Sequence, residues 1–110
     1  MKLPPSLKQK KRYIVFEIIA KDKFTPQEIN QAVNEALHDF LGQLGLAKSS
    51  PIILKEKIIN HKFILKINHK WVDQAKTAII LIKKIKNTPI IIKSIITSGT
   101  LKKASTYHNK

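Results

Sequence analysis

Cysteine is absent from this 110-residue chain, so the sequence excludes disulfides and thiolate metal sites. No apolar run approaches the roughly 20 residues that a membrane-spanning helix needs. The basic start of the chain is not followed by the apolar stretch of a secretory signal, because Glu17 interrupts residues 13–20. These absences predict a cytoplasmic location and no contact with a membrane.

Acidic residues are also scarce, at 7 against 21 basic residues, which gives a formal net charge of +14. The two ends of the chain contain no acid at all. Residues 1–12 hold five basic residues and residues 98–110 hold three. Two basic segments that flank a less charged core are typical of a protein that binds a polyanion, and nucleic acid is the leading candidate.

Arginine is nearly absent too, since Arg12 is the only one beside 20 lysines. A lysine ammonium is a hydrated point charge, whereas the planar arginine guanidinium can donate two parallel hydrogen bonds to one carboxylate or phosphate. The composition therefore predicts salt-sensitive contacts to phosphates, with little reading of bases.

Catalytic patterns are missing as well. The sequence contains no phosphate-binding glycine loop, no Ser/His/Asp arrangement and no second carboxylate in the strand that carries Glu17. His61 and His69 flank one predicted strand and so lie too far apart to share a metal. We therefore predict no catalytic residue, no metal site and no cofactor.

The patterning of apolar residues predicts one domain with the element order βαββαβ. Thr25 to Glu28 form a capping box that opens the first helix, Gly45 is its expected stop, and Asn68 caps a second helix. The predicted strands cover 12–20, 51–55, 62–68 and 90–97, and the helices cover 26–44 and 68–85. The predicted core is 12–97, with a basic arm over 1–11 and a basic C-terminal segment over 98–110.

The commonest fold for this order is α/β and ferredoxin-like, the topology of the RNA recognition motif. It has a four-stranded antiparallel sheet in the order 4-1-3-2, with two helices on one face. That order brings the start of strand 1, the end of strand 3 and the end of strand 4 to one end of the sheet. We therefore predict one RNA-binding patch there, made of Lys8, Lys10, Lys11, Arg12, Lys70, Ser98, Gly99, Thr100, Lys102 and Lys103.

Apolar side chains in excess of the core's needs predict a protein interface. The second helix is apolar around more than one face at residues 78–82, and strict alternation leaves several isoleucines on the sheet's open face. That face has one predicted aromatic, Tyr13, where an RNA recognition motif has two or three. The predicted interface residues are Ile64, Ile80, Ile91 and Ile95.

The two ends of the chain carry distinctive sequences. The first end reads L-P-P-S-L-K-Q-K-K-R-Y from Leu3 to Tyr13, and the last reads S-G-T-L-K-K from Ser98 to Lys103. Together they resemble archaeal ribonuclease P protein component 2. The sequence departs from the family at Lys8, where an arginine is common, and in a short, weakly basic tail after Lys103. Acylphosphatases share the predicted topology, but residues 20–25 lack the glycine and arginine of their phosphate loop.

The resemblance implies a non-catalytic subunit of ribonuclease P, whose RNA matures the 5′ end of precursor transfer RNA. It also implies three partners: the ribonuclease P RNA, precursor transfer RNA indirectly, and ribonuclease P protein component 3 in a two-plus-two heterotetramer. The alternative from the residues alone is another RNA-scaffold protein, such as a small ribosomal protein.

Overall fold

An antiparallel sheet with helices packed on it forms the centre of the molecule. The computed structural model describes residues 10–54, 58 and 61–108. The strands of the sheet are β1 (Lys11–Ile19), β2 (Ile52–Ile53), β3 (Lys62–Asn68) and β6 (Ile91–Ser98), and two short strands precede β6: β4 (Lys84–Ile85) and β5 (Thr88–Pro89). The helices are α1 (Pro26–Ser49), α2 (Val72–Ile80) and α3 (Leu101–His108), and a 3₁₀ turn (His69–Trp71) precedes α2. The sheet runs in the order β2-β3-β1-β6, which confirms the predicted order 4-1-3-2.

Alternation along β1 divides the core between the two faces of the sheet, as predicted. Ile14, Phe16 and Ile18 pack beneath α1 and α2 in the main core, where Phe16 stacks on Phe63 with ring centroids 5.2 Å apart. Val15 points to the opposite face. The predicted layer of two helices on one side of the sheet is therefore confirmed.

The predicted capping box begins α1. The Thr25 hydroxyl accepts a hydrogen bond from the Glu28 N–H, and the Glu28 carboxylate accepts one from the Thr25 N–H, both at 3.2 Å. The bond from the Thr25 N–H holds the pKa of the Glu28 carboxyl below its ordinary value, with help from the Lys86 ammonium 3.2 Å away. The helix start is fixed by local chemistry that the sequence displays.

The predicted stop of α1 at Gly45 is wrong. The helix bends at Gly42, whose φ of 73° a residue with a side chain rarely adopts, and continues to Ser49 before Ser50 ends it in the left-handed region. Gly45 serves packing instead, since a Cβ there would lie 2.9 Å from the Leu41 Cβ and 3.5 Å from the Trp71 ring. Leu44 lies after the bend and is 69% exposed, although the helical spacing of apolar residues in α1 predicts that it is buried.

The second helix is shorter than predicted, because it ends at Ile80 instead of Ile85. A small hairpin of β4 and β5 follows it. Its two loop residues, Lys86 and Asn87, have φ values of 52° and 66°, which is the geometry of a tight type I′ turn. Residues 84–89, which the sequence divides between the end of the second helix and a loop, therefore form a hairpin beyond the helix.

The prediction that Ile64 lies on an open sheet face is wrong. The C-terminal segment forms α3, which lies across that face and completely buries Ala104 against Val15 and Ile64. The partly buried side chains that complete this second core are Tyr13, Leu54, Ile96 and Leu101. Ile64 is thus buried by the chain's own fold and is not available to a partner.

A bulge in β6 also changes the predicted alternation. The register shifts between Val15, which pairs with Ile96, and Phe16, which pairs with Ser94. Ile95 is the extra residue of the bulge, so Ile96 takes the place on the α3 face that strict alternation assigned to Ile95. Ile53 likewise packs in the main core, whereas strict alternation predicts it on the open face.

Among the described residues, no helix is long and apolar enough to cross a membrane.

Candidate nucleic-acid interface

Three basic segments meet at one end of the sheet. Lys11 pairs with Asn68 at the end of β3, and Tyr13 pairs with Ser98 at the end of β6. The first residues of β1, the 3₁₀ turn with Lys70, and the start of α3 are therefore neighbours. We call this end the basic pole, and its residues are Lys10, Lys11, Arg12, Lys70 and residues 98–103.

The 3₁₀ turn is fastened to the start of β1. The His69 N–H donates to the Lys10 carbonyl at 2.8 Å, and the His69 ring Nδ1 lies 3.2 Å from the same oxygen. Asn68 caps the turn by accepting from the Lys70 N–H at 3.1 Å. These bonds bring Lys70 beside Lys10 and Lys11, although the two bonded residues are 59 positions apart in sequence.

The Ser-Gly-Thr turn begins α3. The Ser98 hydroxyl accepts from the Thr100 N–H at 3.1 Å and donates to the Thr100 carbonyl at 3.0 Å. The Thr100 hydroxyl in turn accepts from the Lys103 N–H at 3.3 Å, as an N-cap residue does. The turn's polar groups therefore position the first turn of α3, a structural role that the sequence did not reveal.

Gly99 leaves space beside Arg12. A Cβ at Gly99 would meet only the Arg12 Nη1, at 3.7 Å, and its φ is not in the left-handed region. Arg12 is half-buried and donates from Nη1 to the Lys11 carbonyl at 3.1 Å. The fold places no steric demand for glycine at this exposed position, since a Cβ there would make only an ordinary van der Waals contact with the guanidinium.

The charges of the basic pole are largely available to solvent. Lys10, Lys70, Lys102 and Lys103 are exposed, while Lys11 is half-buried. Within the part of the chain that the structure describes, no carboxylate lies in ion-pair contact with any of these lysines. The other predicted patch residues differ in their placement: Ser98 is buried, and Lys8 lies outside the described residues. The arrangement is a positive surface of lysines with one arginine at its centre.

The sheet face beside this pole offers no stacking platform. Tyr13 is packed in the second core, with the Lys66 ammonium 6.0 Å from its ring centroid. The α3 helix covers the area where an RNA recognition motif stacks bases on aromatic rings. In the described residues, this face therefore lacks the stacking surface of an RNA recognition motif.

Among the described residues, exposed apolar side chains occur on α1 and α2 and on the outer parts of the sheet. Between α1 and α2, a shallow groove is lined by Ala36, Asp39, Phe40, Ala78, Leu81 and Ile82. Ile80, which is 47% exposed, lies elsewhere on α2 and does not line this groove. On the outer strand β6, Ile91 is 62% exposed and Ile95 is 38% exposed. Of the four predicted interface residues, three are therefore accessible, and they lie on two separate surfaces.

Catalytic or metal-binding geometry is not found in the described residues, where no group of three or more His, Asp or Glu side chains is placed to hold a metal. The residues that sequence reasoning missed are structural. Ala104 anchors α3 on the sheet. The sequence signal for this contact is that Leu101 and Ala104 are apolar and three residues apart, with two lysines between them.

The sheet order and the two-helix layer define a small ferredoxin-like protein, which carries a positive surface at one end of its sheet. Comparison with known families narrows this class, because residues 12–108 match the Rpp14/Pop5 family. This chain belongs to that family, which confirms the resemblance found at its two ends.

Curated relatives include ribonuclease P protein component 2 of Thermococcus kodakarensis, which is 34% identical over 92% of this chain and 84% of the relative. The protein of the same name from Methanocaldococcus jannaschii is 32% identical over 93% and 75%. A chain in the structure of yeast ribonuclease MRP matches with a TM-score of 0.65 over 93% of both chains. At 15% identity, that match shows a shared fold.

Proposed function

We propose that this chain is a non-catalytic protein subunit of ribonuclease P, which binds the catalytic RNA and supports 5′ maturation of precursor transfer RNA in the cytoplasm. The observation that carries the proposal is the convergence of three basic segments at one end of the sheet. Family membership supports it, since the archaeal relatives are named as components of this enzyme.

The chemistry of the pole favours phosphate contacts over base reading. Lysine ammonium groups neutralise phosphates and release counterions, which makes affinity strongly dependent on salt. The single guanidinium of Arg12, beside the open space at Gly99, is the one group suited to two-bond recognition of a phosphate. Sequence specificity is then left to the shape of the folded RNA.

Purified chain alone is expected not to cleave precursor transfer RNA, because its described residues present no paired acid and base and no metal cluster. The measurement is cleavage of labelled precursor by the protein, with and without ribonuclease P RNA and magnesium. Cleavage by the protein that survives destruction of copurified RNA with a nuclease would contradict the proposal.

The proposed protein partner is ribonuclease P protein component 3, in a two-plus-two assembly. Such an assembly needs two contact surfaces on each central chain, one for the partner and one for the second copy. Ile80 is exposed on α2, and Ile91 and Ile95 are exposed on β6, so exposed apolar side chains occur on two separate elements, which supports this arrangement. Ile64 leaves the proposed interface because it is fully buried.

Ile80→Lys is expected to break the complex with component 3 while leaving RNA affinity unchanged, because it places a charge on an apolar contact away from the basic pole. The measurement is sizing of the mixture at low and at molar salt, since apolar contacts resist screening. Gln74→Lys adds the same charge at another exposed position of α2 and is the matched control. If both variants bind component 3 equally well, Ile80 is not in the interface.

A further inference from the structure

His69 holds the carbonyl of Lys10 with two donors at once. Its backbone N–H lies 2.8 Å from that oxygen, and its ring Nδ1 lies 3.2 Å from it. A carbonyl has two lone pairs and can only accept, so Nδ1 carries the proton in this contact. Most residues at a strand end offer one backbone bond, whereas His69 adds a side-chain bond to the same acceptor.

The bonded carbonyl stands where the basic arm joins the sheet. Lys11 pairs with Asn68 in the antiparallel ladder, and Lys10 is the next residue toward the arm. The contact with His69 therefore extends the ordered backbone one residue beyond the last pair of strands β1 and β3. It also brings Lys10 close to Lys70, which follows His69 in the 3₁₀ turn.

We infer that His69 is a positioning residue for RNA binding, which holds Lys10 and Lys11 in place at the start of β1 through its Nδ1–H bond to the Lys10 carbonyl. The inference rests on the proposed function. A residue whose backbone is fixed before binding loses less conformational entropy when it binds, so its charge contributes more to affinity. His69 acts through Lys10 and Lys11, and needs no contact of its own with the RNA.

The test measures affinity for ribonuclease P RNA in two backgrounds, the wild-type chain and a chain in which Lys10 and Lys11 are changed to glutamine. His69→Ala is expected to weaken binding about three- to tenfold in the wild-type background, which is the usual range for one hydrogen bond. His69→Asn is expected to restore binding, since the asparagine Nδ2 donates from nearly the position of Nδ1. In the glutamine background, His69→Ala is expected to change nothing.

Three results would overturn the inference: unchanged affinity of His69→Ala, failure of His69→Asn to restore binding, or an equal loss in both backgrounds. The last result would mean that His69 contacts the RNA itself or acts on another segment. Failure of the proposed function looks different. In that case the glutamine background binds ribonuclease P RNA as well as the wild type does, whatever residue stands at position 69.

Discussion

Charge reversal of Lys10, Lys11 and Arg12 to glutamate is expected to abolish most of the affinity for ribonuclease P RNA. These residues form the part of the basic pole where β1, β3 and β6 meet. The slope of log affinity against log salt is expected to fall by roughly 0.7–0.9 for each phosphate that the variant no longer neutralises. The measurement is a salt titration of RNA binding by the wild type and the triple variant.

The matched control reverses three lysines away from the pole, Lys21, Lys23 and Lys84, which are all exposed. It changes the net charge by the same amount and should reduce binding far less, because screening weakens charges beyond about 10 Å at ordinary salt. Equal decreases in affinity for the two triple variants would show that total charge, and no particular surface, governs binding.

Ala104→Glu is expected to release α3 from the sheet and to lower the free energy of unfolding. Ala104 is completely buried against Val15 and Ile64. A larger side chain in a packed site costs about 1–3 kcal/mol, and a carboxylate without a partner adds a desolvation cost. Lys102 and Lys103 would then lose their fixed place in the basic pole, so RNA affinity should fall together with stability.

Thr106→Glu is the control, since it puts the same charge on the exposed side of α3, two residues away. Urea unfolding of the two variants separates a packing effect from a charge effect. We expect a clear loss of stability for Ala104→Glu and little change for Thr106→Glu. Equal stabilities would show that α3 contributes nothing to the core.

Much of the fold could be predicted because its signals are local. The alternation in residues 12–20 determines which side chains face α1 and α2, and the capping box at Thr25 and Glu28 marks a helix start. The element order then selects the sheet order, since few connections satisfy an antiparallel sheet with two helices. The convergence of the basic segments follows from that topology alone.

The parts that could not be predicted depend on tertiary context. The α3 helix is only eight residues long, so it depends on packing against the sheet and on its N-terminal hydrogen bonds. The bulge at Ile95 shifts a register that sequence alternation cannot reveal. Nothing in the sequence indicates that Ser98 and Thr100 direct their hydrogen bonds to the start of α3.

The candidate site was predictable in its location and less so in its chemistry. The sequence predicts that Lys10, Lys70 and Lys102 lie at one end of the sheet. The pairing of β1 with β3 and β6 brings these three residues to that end. Their role in RNA binding remains the proposal. The bond of His69 to Lys10 joins residues 59 apart, and only the folded chain brings them together.

Sequencing the RNA that a tagged chain carries out of its native cells tests the central proposal most directly. We predict strong enrichment of ribonuclease P RNA, and loss of that enrichment when Lys10, Lys11 and Arg12 are changed to glutamate. Recovery of ribosomal RNA instead, or of no RNA above the level of an untagged control, would contradict the proposal.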